Sequence, residues 1–168
     1  NFVEPMLEYV LRDFTNSRIR FGDKTIGAMV VTDSSDQARE MLRQFQAGDH
    51  GLKAALILHD EDDKETREAE IKDFKDGKID ILFVYSMLLT GFDAPRLKKL
   101  YLGRKIRAHN LLQTLTRVNR PYRDFRIGYV VDFADISKEF EVTNQAYFEE
   151  LNREYSEGMD EGDDPNNT

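Results

Sequence analysis

Two arginines and a glutamine lie on one face of a predicted helix, in the segment NLLQTLTRVNRP from Asn110 to Pro121. At 100° per residue, Gln113, Arg117 and Arg120 fall within about 60° of one another. Arginine is always charged and its planar fork matches phosphate oxygens, so this face could bind a phosphorylated ligand. Spacing alone still favours an ordinary solvated helix face, because polar outer faces are the default.

The ends of this helix are marked by residue type. Asn110 can cap the helix start, with Gln113 three residues on as in a capping box. Pro121 ends the helix, because its ring cannot follow a helical turn without a clash. The apolar stripe that would seat the helix on a sheet consists of Leu111, Leu115 and Val118.

A second segment, VYSMLLTGFDAP (residues 84–95), takes a buried strand into a loop. Gly91 allows the backbone to come close to a ligand. Ser86 and Thr90 offer short hydroxyls suited to phosphate contact. By itself the segment is more simply a strand-to-helix turn with Thr90 or Asp93 as a cap.

Acidic residues crowd around His59, in the run His59–Asp63. Such a cluster could suggest a metal site. Acidic runs are more often solvated loops or helix starts, where the helix dipole favours them. We therefore predict no metal site.

The elements that must position these segments alternate between short apolar runs and amphipathic stretches of helix length. The predicted strands are Gly27–Thr32, Ala54–Leu58, Ile79–Tyr85, Leu100–Leu102 and Ile127–Phe133. The predicted helices are Asp36–Gln46, Lys64–Lys75, Leu111–Asn119 and a last one from about Ser137 to Tyr155. This order predicts an α/β fold of three layers, α/β/α, with a mainly parallel sheet whose ligands gather at the carboxyl ends of its strands.

Three regions divide the chain. A helix near Pro5–Phe14 lies in residues 1–22, which we interpret as a link to a preceding lobe. Residues 23–156 form the α/β domain. Residues 157–168 are acidic and nearly free of apolar side chains, which predicts a disordered tail or linker.

Charge is distributed unevenly along a chain whose net charge is −8. Residues 96–126 hold ten Lys or Arg and a single acid, whereas residues 149–168 hold eight acids and one Arg. Most of these charges fit solvated surfaces. The basic middle could still give one face a field that attracts phosphates.

Composition narrows the class of protein. The chain lacks cysteine, which excludes disulfides and thiolate metal sites and fits a reducing cytoplasm. No apolar run reaches the roughly 20 residues that span a bilayer, and no secretory signal is visible. The chain starts with Asn1 instead of Met, so we interpret it as part of a longer protein.

Taken together, these segments resemble the C-terminal helicase lobe of superfamily 2. The family pattern is matched in order by His59, Arg67, Phe74, Gly77, Gly91, Asp93, Gln113, Arg117 and Arg120. The chain departs from the pattern at Thr116, where the family usually has Gly.

Within that superfamily, three sequence motifs of this chain are similar to those of the R (restriction) subunits of type I restriction enzymes. The matching runs are MLLTGFDAP (87–95), LLQTLTRVNRPY (111–122) and GYVVDFADI (128–136). The resemblance covers roughly Gly27 to Tyr155. Ser86 stands where many members have an acid or another polar residue.

The resemblance implies a RecA-like fold of the P-loop NTPase type, here as the second lobe of a two-lobed motor. No G-x-x-x-x-G-K-[ST] run is present, so ATP and Mg²⁺ would be bound mainly by a preceding first lobe of the intact protein, with neither held tightly by this chain alone. The implied partners are duplex DNA, that first lobe, a nuclease domain of the same chain, and the methyltransferase and specificity subunits. The implied enzyme is an ATP-dependent type I deoxyribonuclease, with this domain inactive when isolated.

The resemblance also implies roles for individual residues. Arg117 and Arg120 would act as arginine fingers, with Gln113 orienting nucleotide or water. Gly91 and Asp93 would face the nucleotide cleft. The residues that would contact the DNA backbone are Ser34, Ser35 and Thr90.

Two other functions remain open. The chain could be the second lobe of an RNA helicase or a chromatin-remodelling motor, although the LLTGFDAP and VNRP runs argue against this. It could also be a degenerate lobe that binds nucleic acid or a partner without supporting hydrolysis. The retained Gly91, Asp93, Gln113, Arg117 and Arg120 argue against decay.

Overall fold

The computed structural model describes residues 3–58, 63–85, 94–103, 128–132 and 138–142. Their three helices are α1 (Val3–Phe21), α2 (Ser35–Ala47) and α3 (Lys64–Lys75). Their six strands are β1 (Gly27–Thr32), β2 (Ala54–Ile57), β3 (Ile81–Tyr85), β4 (Leu97–Leu102), β5 (Gly128–Asp132) and β6 (Lys138–Val142).

The strands form one sheet in the order β2-β3-β1-β4-β5-β6. The first five are parallel to one another, and β6 runs antiparallel to β5. Parallel strands need a crossover connection, and α2 connects β1 to β2, which lies two places away in the sheet, while α3 connects β2 to its neighbour β3. The predicted mainly parallel α/β sheet is confirmed.

Helices cover both faces of this sheet. On one face, α1 and α2 bury a cluster that includes Phe14 and Phe45 against Val30 and Phe83 of the central strands. On the other face, Phe74 of α3 packs with strand residues such as Met29, Leu82 and Leu100. Central strands buried on both faces explain why GAMVVT and ILFVY are apolar almost throughout. The predicted three-layer arrangement is therefore confirmed.

Helix α1 extends further than the predicted Pro5–Phe14. It ends at Phe21 because Gly22 adopts a left-handed conformation, with φ of 64°. The Gly22 amide then donates to Ile19 and the Asp23 amide to Arg18, the pattern of a Schellman motif. The role of residues 1–22 as a link to a preceding lobe stays a prediction.

Strand β6 corrects the predicted helix from about Ser137 to Tyr155. Residues Lys138–Val142 pair with β5 in antiparallel register, with Phe140 opposite Val130. In KEFEV, glutamates alternate with apolar residues from Glu139 onward, which is the period of a strand and not of a helix. The rest of that predicted helix lies outside the described residues.

Strand β4 is longer than the predicted Leu100–Leu102, because it begins at Leu97 and includes Lys98 and Lys99. Both lysines are at most 1% exposed, and Arg96 just before them is 4% exposed. These three cations therefore do not contribute to a basic surface, contrary to the interpretation of residues 96–126 as one basic face. The other seven lie outside the described residues.

Candidate functional site

The carboxyl ends of four parallel strands lie side by side at one edge of the sheet. Thr32 at the end of β1 pairs with Tyr85 at the end of β3, and Val31 pairs with Leu102 at the end of β4. Leu102 in turn pairs with Asp132 at the end of β5. This is the edge at which open α/β sheets gather their ligands.

The loop Asp33–Ser35, with two of the predicted DNA-contact residues, lies at this edge. Ser34 caps α2: its Oγ accepts a hydrogen bond from the Gln37 amide at 3.0 Å. The Gln37 side chain returns to accept from the Asp33 amide at 2.7 Å. The S-S-D-Q run is the sequence signature of a capping box, although Gln37 here reaches one residue further back than usual.

The two serines differ in exposure. Ser34 is exposed, and Ser35 is half-buried in the first turn of α2. A hydroxyl that accepts a hydrogen bond can still donate its own proton, so capping leaves Ser34 able to meet an anion. The start of a helix also carries amide groups and a partial positive charge that favour anions.

Thr32 is a residue that the sequence interpretation missed. It is fully buried, and its hydroxyl lies 2.9 Å from the Ser34 carbonyl oxygen and 3.0 Å from that of Val84. A polar side chain that ends an otherwise apolar strand was the available signal.

Gly103, directly after β4, is held closely at the same edge. Its amide donates to the Val31 carbonyl at 2.7 Å. A Cβ at this position would lie 2.7 Å from that same oxygen and 2.7 Å from the Met6 side chain. Only glycine allows so close an approach of β4 to the end of β1.

The remaining predicted site residues lie outside the described residues. These are Thr90, Gly91, Asp93, Gln113, Arg117 and Arg120. The last described residues that precede them in the chain, Tyr85 and Gly103, both lie at the carboxyl edge.

Three residues of the family pattern, Arg67, Phe74 and Gly77, are among the described residues. Phe74 and Gly77 have structural roles beside the sheet. Phe74 is fully buried, and the Arg96 guanidinium lies 4.8 Å from its ring centroid. Gly77 has φ of 85°, a conformation that favours glycine, in the turn between α3 and β3. Arg67 is half-buried on α3.

Arg96 joins separate segments near the amino ends of the strands. Its guanidinium donates to the carbonyl oxygens of Thr25, Phe74 and Ile79 at 2.9, 2.7 and 2.6 Å. The positive charge of Arg96 is thus stabilised by backbone carbonyl dipoles in the interior.

A second buried cation, Lys98, follows on β4. Burial lowers the pKa of its ammonium group to about 8.

The described part of the chain holds neither a metal-binding cluster nor a membrane-spanning helix. No cluster of three or more His, Asp or Glu side chains able to hold a metal ion occurs there. His59 and the acids that follow it up to Asp62 fall outside that part. Over the same residues, no helix has the length and apolar character needed to cross a bilayer.

Residues 62–135 match a family model described as type I restriction enzyme subunit R domain 3. The MjaVIIP type I restriction enzyme endonuclease subunit of Methanocaldococcus jannaschii is 49% identical over 67 residues, which are 40% of this chain and 6% of that protein. The HindI endonuclease subunit of Haemophilus influenzae is 34% identical over 93 residues, or 54% of this chain and 9% of that protein. The chain thus spans under a tenth of these relatives.

Among solved structures, the C-terminal domain of Saccharomyces cerevisiae Dbp5 has a similar fold, with a TM-score of 0.59 and 13% identity. The match covers 94% of this chain and 80% of that one. At so low an identity the likeness shows the fold alone, which is that of a RecA-like helicase C-terminal domain.

Proposed function

We propose that this chain, a relative of the endonuclease (R) subunits of type I restriction enzymes, is the second motor lobe of an ATP-dependent duplex-DNA translocase. The observation that carries the proposal is the position of the family match. Residues 62–135 include both segments whose residue types suit phosphate chemistry, 84–95 and 110–121. The RecA-like sheet supports it, because such folds gather ligands at the carboxyl edge.

The chemistry follows from charge. Phosphoryl transfer spreads negative charge over the transferred group, and a catalyst must stabilise that charge. Arg117 and Arg120 do so as arginine fingers that reach the nucleotide when the two lobes close. Gln113 orients the nucleotide or the attacking water.

The nucleotide cleft between the two lobes needs a loop whose backbone can approach the nucleotide closely, and an acidic side chain. Gly91 lets its loop come near the nucleotide, and Asp93 pairs with the opposing lobe or with the nucleotide sugar. ATP and Mg²⁺ are held mainly by the preceding lobe, because this chain has no P-loop sequence.

Contacts to DNA come from short hydroxyls. Ser34, Ser35 and Thr90 meet backbone phosphates, which carry no sequence information and so suit a motor that moves along any DNA. The exposure of Ser34 and the start of α2 beside it support this role. Hydrolysis opens and closes the cleft, so that two DNA footholds separate and rejoin.

The parent protein would carry a P-loop lobe and a nuclease domain, and would assemble with methyltransferase and specificity subunits in the cytoplasm. This assembly would cleave DNA as a type I restriction enzyme. The isolated chain would not hydrolyse ATP, because half of the nucleotide site is missing.

The test uses the purified full-length protein and measures ATP turnover without nucleic acid, with duplex DNA of arbitrary sequence, and with single-stranded RNA. We expect duplex DNA to stimulate turnover and RNA not to. Stimulation by RNA alone would favour an RNA helicase lobe instead. Binding of DNA without any turnover would favour the non-hydrolytic alternative.

A further inference from the structure

A buried hydroxyl joins two strand ends at the carboxyl edge. Thr32 is the last residue of β1 and has no exposed surface. Its hydroxyl lies 2.9 Å from the carbonyl oxygen of Ser34, in the loop before α2, and 3.0 Å from that of Val84, near the end of β3. One side chain therefore connects the β1–α2 loop to the neighbouring parallel strand.

Packing alone does not require this hydroxyl. Every other residue of β1 from Ala28 to Val31 is apolar, and valine has nearly the shape of threonine. Valine would remove the donor that faces both carbonyl oxygens, and with it the side-chain link between them. The Ser34 carbonyl would keep only its bond from the Ala38 amide, at 3.1 Å within α2. The threonine thus supplies a specific connection within an apolar environment.

The loop that Thr32 holds is also tied to α2. The Ser34 Oγ accepts from the Gln37 amide at 3.0 Å, and the Gln37 side chain accepts from the Asp33 amide at 2.7 Å. These bonds fix the loop relative to the helix, whereas the Thr32 hydroxyl fixes it relative to the sheet. Ser34 is consequently held from both sides and yet is exposed.

We infer that Thr32 is a positioning residue for DNA binding, which holds the Ser34–Ser35 loop at a fixed place against the end of β3. This inference rests on the proposed function. The Thr32 hydroxyl faces β3 at the Val84 carbonyl oxygen, one residue before that strand ends at Tyr85. Being buried, Thr32 does not touch the DNA and acts through Ser34 and Ser35.

The test compares Thr32→Val and Thr32→Ser in the full-length protein. Serine keeps the hydroxyl and valine keeps the volume, so the two variants separate hydrogen bonding from packing. Fluorescence anisotropy gives the affinity for a labelled duplex of arbitrary sequence, and a parallel titration gives the affinity for ATP. We expect Thr32→Val to weaken duplex binding roughly three- to tenfold, as for one lost hydrogen bond. Thr32→Ser should stay within about twofold of wild type, with ATP affinity unchanged in both.

Each outcome decides the inference. Wild-type duplex affinity in Thr32→Val overturns it, as does an equal loss of ATP and duplex binding, which would mark a general structural role. Should Thr32→Val fail to fold by circular dichroism, Thr32→Ala undergoes the same titrations. If the wild-type protein itself does not bind duplex DNA, the proposed function fails and the inference with it. If the wild type binds and the hydroxyl-free variant binds equally, only the inference fails.

Discussion

The Lys99 ammonium lies 2.9 Å from the Asp13 carboxylate in the interior of the protein. Lys99 on β4 has no exposed surface, and the Asp13 side chain on α1 is 18% exposed. The Tyr101 hydroxyl donates to the same carboxylate oxygen at 2.6 Å. A charge pair and a phenol thus fasten α1 to the middle of the sheet.

Removing the carboxylate should be more harmful than removing the ammonium. Asp13→Ala leaves the buried Lys99 charge without this partner, so we expect a loss of about 3–5 kcal/mol in the free energy of unfolding. Lys99→Met leaves Asp13 partly hydrated and still bonded to Tyr101, and its cost should be smaller. Urea unfolding of each variant, followed by circular dichroism, gives both values.

A suitable control is Glu8→Ala, because Glu8 is also an acid on α1 but is exposed. Its effect should stay within about 0.5 kcal/mol. If Asp13→Ala costs no more than Glu8→Ala, the ion pair does not stabilise the fold.

The stability of the chain should depend on pH through Lys98. Burial lowers the pKa of Lys98 from 10.5 to about 8, so the unfolded chain holds this proton over a range where the folded chain has released it. Stability rises with pH wherever the unfolded state binds more protons. The cost of burying the charged form is therefore complete below about pH 8 and is relieved between about pH 8 and 10.5.

A Lys98→Met variant isolates this effect from other titrating groups. Wild type should gain stability relative to Lys98→Met as the pH rises from 8 to 10, by about 2 kcal/mol over that range. Urea unfolding of both proteins at several pH values gives the difference. A difference that stays constant with pH would show that Lys98 titrates normally.

The buried lysines of β4 show which part of the sheet could not be predicted from the sequence. Periodicity identified β1, β2 and β3 to within about two residues, because their residues are apolar and local pattern decides such strands. It began β4 at Leu100, since Lys98 and Lys99 count as polar in any pattern. Asp13, which makes Lys99 tolerable in the core, comes from a helix 86 residues earlier in the chain, and no local pattern reveals it.

At the candidate site, too, local pattern predicted the elements but not the contacts between residues distant in the chain. The sequence located the Asp33–Ser35 loop at the carboxyl edge, since strand ends and sheet topology follow from pattern. It did not find that Thr32 bonds across to Val84, because that contact depends on which strands become neighbours. The end of α1 could have been found, since Phe21-Gly22 is the kind of junction at which helices stop.

Gly27 should resist substitution because of Phe74. A Cβ at Gly27 would lie 2.6 Å from the Phe74 ring and 3.0 Å from the Arg96 guanidinium. We expect Gly27→Ala to cost about 1–3 kcal/mol, as overpacked cores do. Thermal or urea unfolding measures the loss.

A double-mutant cycle tests the cause. Phe74→Leu removes the ring atoms that meet the new Cβ, so Gly27→Ala combined with Phe74→Leu should be more stable than the two single losses predict, by at least about 0.5 kcal/mol. Additive losses would mean that the ring is not the obstacle and that the cost arises from the backbone or from Arg96.

The last prediction concerns the two arginines of residues 110–121. In the full-length protein, Arg117→Ala and Arg120→Ala should each lower DNA-stimulated ATP turnover strongly, since arginine fingers contribute about 10³–10⁵ in rate in other nucleotide hydrolases. Arg117→Lys should restore little, because lysine keeps the charge but lacks the planar fork that meets two phosphate oxygens. Arg43→Ala is the matched control, since Arg43 is an exposed arginine on α2 that pairs with Glu40 within the helix. The free energy of unfolding should change by less than about 0.5 kcal/mol in all of them, as is usual for surface substitutions. Wild-type turnover in either alanine variant would remove that arginine from the proposed mechanism, and equal losses in Arg43→Ala would point to a general effect of lost positive charge.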